Sequence, residues 1–167
     1  MKKIVPIVLI LLMLAVIATI FISMAKEDQP VTIMTGNTEM KPLPIKFNHT
    51  NDPQCAMLLK TDHNALEVAI PDGRTWFFDD PGCMILWIEK KPFRDQAKIW
   101  VHTIDTGKWI DAKKAHYGVT DKTEMRYGFG AREHESNDTI DFEEMRLRML
   151  RGENLTNPKI RKKLLGI

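Results

Sequence analysis

Residues 4–24 form a run of 21 residues without a charge, broken only by Pro6, Thr19 and Ser23. At about 1.5 Å per residue a helix of that length reaches roughly 31 Å, enough to cross the hydrocarbon core of a bilayer. Pro6 falls in the first turn, where a missing N–H costs little. Lys2 and Lys3 precede the run, and the positive-inside bias then keeps the N-terminus cytoplasmic and exports the rest of the chain. The expectation is a single-pass inner-membrane protein, anchored by residues 1–25, with its domain in the periplasm. A cleaved signal peptide is the rival reading, because Ser23-Met24-Ala25 has small residues suited to cleavage. Its apolar region is usually only about 7–15 residues long, which favours a retained anchor. No Cys follows the run, so a lipid-modified N-terminal Cys is not expected.

Removing this segment changes the charge arithmetic. The chain has 24 Lys+Arg and 22 Asp+Glu, a net of +2. Lys2 and Lys3 account for that excess, so the remainder is neutral. A neutral remainder lacks the clustered positive charge of a nucleic-acid binder, and a single apolar run excludes a multispan membrane protein. The remaining length suits one domain, or two small halves sharing a core.

Residues 26–50 read as a linker, with Pro30, Pro42, Pro44 and Gly36 and no helical periodicity. Met34 and Met40 read as exposed linker residues, and the Asn-x-Thr sequons at Asn48, Asn137 and Asn154 as chance. Residues 55–59 are a short apolar run. Residues 66–70 alternate as a half-buried strand, and 71–74 form a turn whose Gly73 supplies positive φ. Residues 75–78 are a β-branched and aromatic strand. Asp80 fits a helix N-cap with Pro81 at the first helical position, starting a helix that runs to about Lys91. Another strand is expected over 98–104. The second half repeats the pattern more weakly, with strands over 115–119 and 126–131 and a helix over 141–151, capped by Asp141 and stopped at Gly152. Two strand–strand–helix units, the first followed by a strand, predict an α+β fold over 51–152. A basic tail over 153–167 (Lys159, Arg161, Lys162, Lys163) reads as a solvated helix end or loose tail, with contact to anionic lipid or a partner as the alternative.

The distinctive chemistry lies in sulfur. Two Cys and seven Met lie outside the first 25 residues. In Cys55-Ala56-Met57, an extended backbone would turn both sulfurs to one side. A thiolate and a thioether on one face make half of a soft-metal site, which selects Cu(I) over Mg or Ca. The alternative is a buried Cys beside a core Met. Cys83 is the third residue of the helix capped by Asp80, where the helix N-terminus is expected to lower a thiol pKa. Three readings stand for it, first an inert core Cys, then a disulfide partner of Cys55, then a metal ligand, and Met84 follows it. Met125 lies in a polar turn, an unusual place for a purely structural Met. Among the histidines, His63, His102, His116 and His134 are possible nitrogen ligands, and His102 shares a strand with aromatic neighbours. No G-x-S-x-G, H-E-x-x-H or phosphate loop is present, so an enzyme is not expected. The pair Asp79–Asp80 reads as helix capping rather than an acid/base dyad. A Cys–His nucleophile stays open.

Four stretches in order, DPQCAMLL at 52–59, FDDPGCMILWI at 78–88, WVHTIDTGKWIDAKKAHYGV at 100–119 and MRYGFGAREHES at 125–136, resemble the NosL family of copper-binding accessory proteins for nitrous-oxide reductase. The resemblance covers roughly residues 52–150. It implies a membrane-attached, exported protein of two ββαβ units sharing a core, which binds one Cu(I) and passes it to the reductase maturation machinery. Cys55 and Met57 match the family's Cys-Gly-Met element and Met125 its late Met. Cys83, Met84 and His102 complete the candidate ligand set. The chain departs from the family at Ala56, where a Gly is usual, at Asp52, where many members have a Cys, and at Arg126, where a small residue is common. The expected function is a Cu(I) metallochaperone. The alternatives are a membrane-tethered thiol–disulfide redox protein using Cys55 and Cys83, and a non-catalytic assembly scaffold.

Overall fold

A computed structural model describes residues 4–27 and 30–166, which divide at Pro30 into two compact units. The first carries helix α1 (Ile4–Glu27), 24 residues long. Its stretch Pro6–Ser23 is apolar and long enough to span a membrane, a property shared by signal sequences. Lys2 and Lys3, on which the expected orientation rests, lie outside the described residues.

From Val31 onward the chain is mixed α+β. Among the described residues of the whole chain there are four helices and two antiparallel sheets. The larger sheet has the order β1-β3-β2-β4-β5, built from β1 (Ile33–Met34), β2 (Leu66–Ala69), β3 (Thr75–Phe78), β4 (Lys98–His102) and β5 (Trp109–Asp111). In register, Leu66 stands opposite Phe78 and Val101, and Val68 opposite Trp76 and Ile99. Cross-strand partners share a face, and this one packs on helix α2 (Pro81–Ile88) through Met84, Ile85 and Ile88. Trp76, Trp87 and Phe93 cluster at one end, with Trp76 and Phe93 stacked at 5.2 Å.

The strand over 66–70 was expected to be half-buried, yet every residue of β2 is buried. The reason is the segment read as a linker. It covers the second face of the sheet and belongs to the domain. Asn37 Nδ2 donates to Thr75 Oγ1 at 3.0 Å, the Leu43 N–H to Glu67 Oε2 at 2.9 Å, and Trp100 Nε1 to the Met40 carbonyl at 2.8 Å. Apart from β1 the segment stays irregular, yet it makes contacts. Side chains on the sheet satisfy its backbone groups instead.

The smaller sheet has the order β7-β6-β8, from β6 (His116–Gly118), β7 (Ala131–Arg132) and β8 (Thr139–Ile140). The strand expected over 126–131 starts only at Ala131. Arg126 (φ 60°) and Gly128 (φ 95°) lie in the left-handed region, which no strand accommodates. Gly128 is needed there, since a Cβ would strike Leu155 and the Val119 carbonyl. Helix α3 (Phe142–Leu150) follows β8, and Asp141 caps it by accepting the Glu144 N–H. The basic tail is ordered as helix α4 (Pro158–Leu165), capped by Asn157 and ended by Gly166 at φ 72°.

Candidate metal centre

Asp52 organises the turn that presents Cys55. Its Oδ1 accepts the N–H groups of Gln54 (2.6 Å) and Cys55 (3.2 Å), and its own N–H donates to the Met57 carbonyl at 2.9 Å. The turn closes through Ala56 in the left-handed region, φ 62°. The segment is therefore a tight turn and not the extended stretch that the i, i+2 expectation assumed. Side-chain carboxylates that bond to nearby N–H groups stabilise such turns against strand pairing. Asp52 Oδ2 also accepts the Asp79 N–H at 3.2 Å, which pins the turn to the residue that follows β3.

The next residues enter α2. Asp80 caps it, with Oδ1 accepting the Gly82 N–H at 2.8 Å and Oδ2 accepting the Met125 N–H at 3.0 Å. One carboxylate thus starts the helix and holds the Met125 loop. Gly82 is required because a Cβ there would run into the Tyr127 ring. The helix then carries Cys83 inward, fully buried.

These elements bring four side chains together. Asp52, Cys55, Asp79 and Cys83 each offer a ligand atom, and these atoms all lie within 4.8 Å of one another. The group could hold a metal ion. Cys55 Sγ stands 3.8 Å from both carboxylate oxygens of Asp79. Both cysteines are free thiols.

Electrostatics fit a pocket built for a cation. Burial pushes Asp79 up to about 8, reinforced by the nearby Asp52 carboxylate. Burial also raises Asp52, against the N–H groups that it accepts. Cys55 rises to about 11, mainly through burial, with the Met57 N–H opposing. Cys83 rises further, through burial and then the charges of Asp52 and Asp80. A lowered Cys83 pKa had been expected from the helix N-terminus. The fractional dipole charge there is outweighed by desolvation and surrounding carboxylates. Burial and mutual repulsion thus raise all four groups, and binding a cation there would favour their deprotonated forms.

The other expected ligands divide. Met57 is exposed, at 39% of its surface, on the lip of an open groove lined also by Ala56, Leu58, Lys60, Asp79 and Glu124. Asp79 thus faces both the groove and Cys55. Met125 is half-buried, one residue after Glu124. Met84 is fully buried in the core of the large sheet. His102 is engaged elsewhere, with Nε2 3.5 Å from Asp62 and its ring edge-on to Trp109. The group of candidate ligands does not include it. Asp52 and Asp79 were missed as candidate ligands. The available signal was the doublet Asp79–Asp80. A helix start needs one cap, so the second carboxylate beside a buried strand required another role.

No family model, curated protein or solved structure matches this chain.

Proposed function

We propose that this chain is a membrane-tethered carrier of Cu(I), facing the periplasm, that hands its cargo to a cuproenzyme under assembly. The observation that carries this reading is the convergence of two thiols, Cys55 and Cys83, with Asp52 and Asp79, the last of which also lines the open groove that bears Met57. Soft sulfur donors select Cu(I). Cys55 supplies thiolate, Met57 and Met125 supply thioether from exposed or half-buried loops, and Cys83 with the carboxylates backs the site. Loading expels the thiol protons as the cation enters. A carrier needs no chemical step. Its requirement is a ligand set open on one side, so that a partner's sulfur can displace its own, and Cys55 and Met57 stand at that side.

The resemblance to the NosL family extends the proposal to nitrous-oxide reductase maturation as the client pathway. It also supports an architecture of two ββαβ units. The chain order β2-β3-α2-β4 fits the first unit. The second half runs β6-β7-β8-α3 and fits less closely.

The test is titration of Cu(I) into the detergent-solubilised full chain against a competing chelator. One Cu(I) per chain is expected, with affinity falling by more than about tenfold in Cys55→Ser and less in Met57→Leu. Undiminished affinity in Cys55→Ser overturns the assignment. The proximity of the two Sγ atoms favours a second reading, a thiol–disulfide couple. Mass spectrometry after thiol alkylation separates the two, because a carrier isolated without metal is alkylated at Cys55 and a disulfide form is not.

A further inference from the structure

The small net charge of +2 hides a strong local imbalance. Residues 156–167 hold Lys159, Arg161, Lys162 and Lys163 and no acid, so residues 1–155 hold 20 basic and 22 acidic side chains. Helix α4 turns Ile160 and Leu164 toward the protein, where both are half-buried, and leaves its four cations exposed. At 100° per residue these cations fan over roughly half of the helix circumference. A second set adjoins them. Lys122 and Arg126, from the loop before β7, line one cavity together with Leu155 and Arg161.

The acids nearby are already taken. Asp121 is held by Arg132 through two bonds of 2.6 and 2.7 Å. Glu153 pairs with Arg151 at 2.9 Å, and Glu144 with Arg148 at 2.7 Å. Glu124, on the same loop, lies 3.9 Å from His63. Among the described residues, none of Lys122, Arg126, Lys159, Arg161, Lys162 and Lys163 is in an ion pair. Lys122, Arg126 and Arg161 share one cavity, and Lys159, Lys162 and Lys163 continue along the exposed side of α4, so the cations make an extended electrostatic surface rather than a pocket for a single small anion.

We infer that α4 and the 120–126 loop form a docking face for the anionic phospholipid headgroups of the membrane that the chain is tethered to. The same chain carries a helix apolar and long enough to enter a bilayer. That anchor makes lipid headgroups the anionic surface present at the highest effective concentration. Clustered Lys and Arg near such a surface each add attraction that fades within a Debye length. The face reaches the candidate metal centre through the backbone. The Leu155 N–H donates to the Tyr127 carbonyl at 3.1 Å, two residues after Met125.

The experiment is hydrogen exchange on the full chain reconstituted in vesicles of phosphatidylcholine alone or mixed with phosphatidylglycerol. Exchange at 120–126 and 156–166 is expected to slow by about tenfold in the mixed vesicles, and high salt is expected to reverse it. The variant Lys159→Gln/Arg161→Gln/Lys162→Gln/Lys163→Gln is expected to lose this protection. These positions are exposed, and an unchanged thermal midpoint confirms that the variant folds. Lys162→Gln/Lys163→Gln alone is expected to lose part of it. Equal exchange in the two vesicle types overturns the inference. So does protection abolished by inorganic phosphate at matched ionic strength, which means a small-anion site, or protection that appears only with an added acidic protein. Cu(I) affinity is read separately in detergent, so failure here leaves the carrier proposal standing.

Discussion

Glu67 offers the sharpest test of the fold. It lies in the centre of β2, fully buried, between Phe77 and Trp100 on the neighbouring strands. Its Oε2 accepts the Leu43 N–H at 2.9 Å, while Oε1 is buried with no partner. Burial raises its pKa from the ordinary 4.5 to about 8, with the Leu43 N–H opposing. The folded state therefore holds this proton more tightly than the unfolded chain. The stability so gained is complete below pH 4.5 and is lost progressively as the pH climbs toward 8. At about 1.4 kcal/mol per pH unit, the loss by pH 7 is roughly 3 kcal/mol and its ceiling by pH 8 about 5 kcal/mol. Glu67→Gln keeps an acceptor for Leu43 and cannot ionise. Its amide meets the empty surroundings of Oε1, at a cost of about 1 kcal/mol. The variant should thus be slightly less stable than the parent near pH 5 and more stable by a few kcal/mol near pH 8. Urea unfolding of both proteins in the same detergent across pH 5–8.5 reads this directly. Two curves that stay parallel across the range would refute the assignment of the slope to Glu67, and with it the view that the 36–47 segment seals this face.

Substitutions at three further positions probe the metal centre and its supports. Asp80→Ala removes the acceptor for both Gly82 and Met125 and should lower stability by about 2–4 kcal/mol, with Asp80→Asn recovering part through the retained cap; thermal unfolding measures both, and equal losses would separate the cap from the effect. Gly82→Ala drives a methyl into the Tyr127 ring and should cost about 1–3 kcal/mol, with a changed tyrosine near-ultraviolet signal. Ala56→Gly relieves a left-handed alanine, φ 62°, and should raise stability by up to about 1 kcal/mol while leaving Cu(I) affinity unchanged; a drop in the thermal midpoint would count against the turn geometry.

The parts of this fold that could be read from sequence are those set by neighbours in the chain. The turn at Gly73, the cap at Asp80 with Pro81 behind it, and the capped helix after Asp141 all depend on residues within a few positions, and all three form. What escaped depends on partners far away. Glu67 on a buried strand is intelligible only with the Leu43 N–H, 24 residues earlier, and Trp100 only with the Met40 carbonyl, 60 residues away. The stretch at 126–130 was read as part of a strand, yet Arg126 and Gly128 lie in the left-handed region and the Tyr127 carbonyl between them accepts the distant Leu155 N–H. The metal centre obeys the same division. Cys55 was visible through its spacing to Met57, although the geometry proved to be a turn. Asp52 and Asp79 escaped, with only the Asp79–Asp80 doublet as a hint, because each is defined by the other: the Asp79 N–H bonds to Asp52, and the Asp79 carboxylate faces Cys55. Capping needs only one member of the Asp79–Asp80 pair. A buried carboxylate left over beside two thiols is costly unless something compensates its charge, and a bound cation is the compensation that this donor set fits.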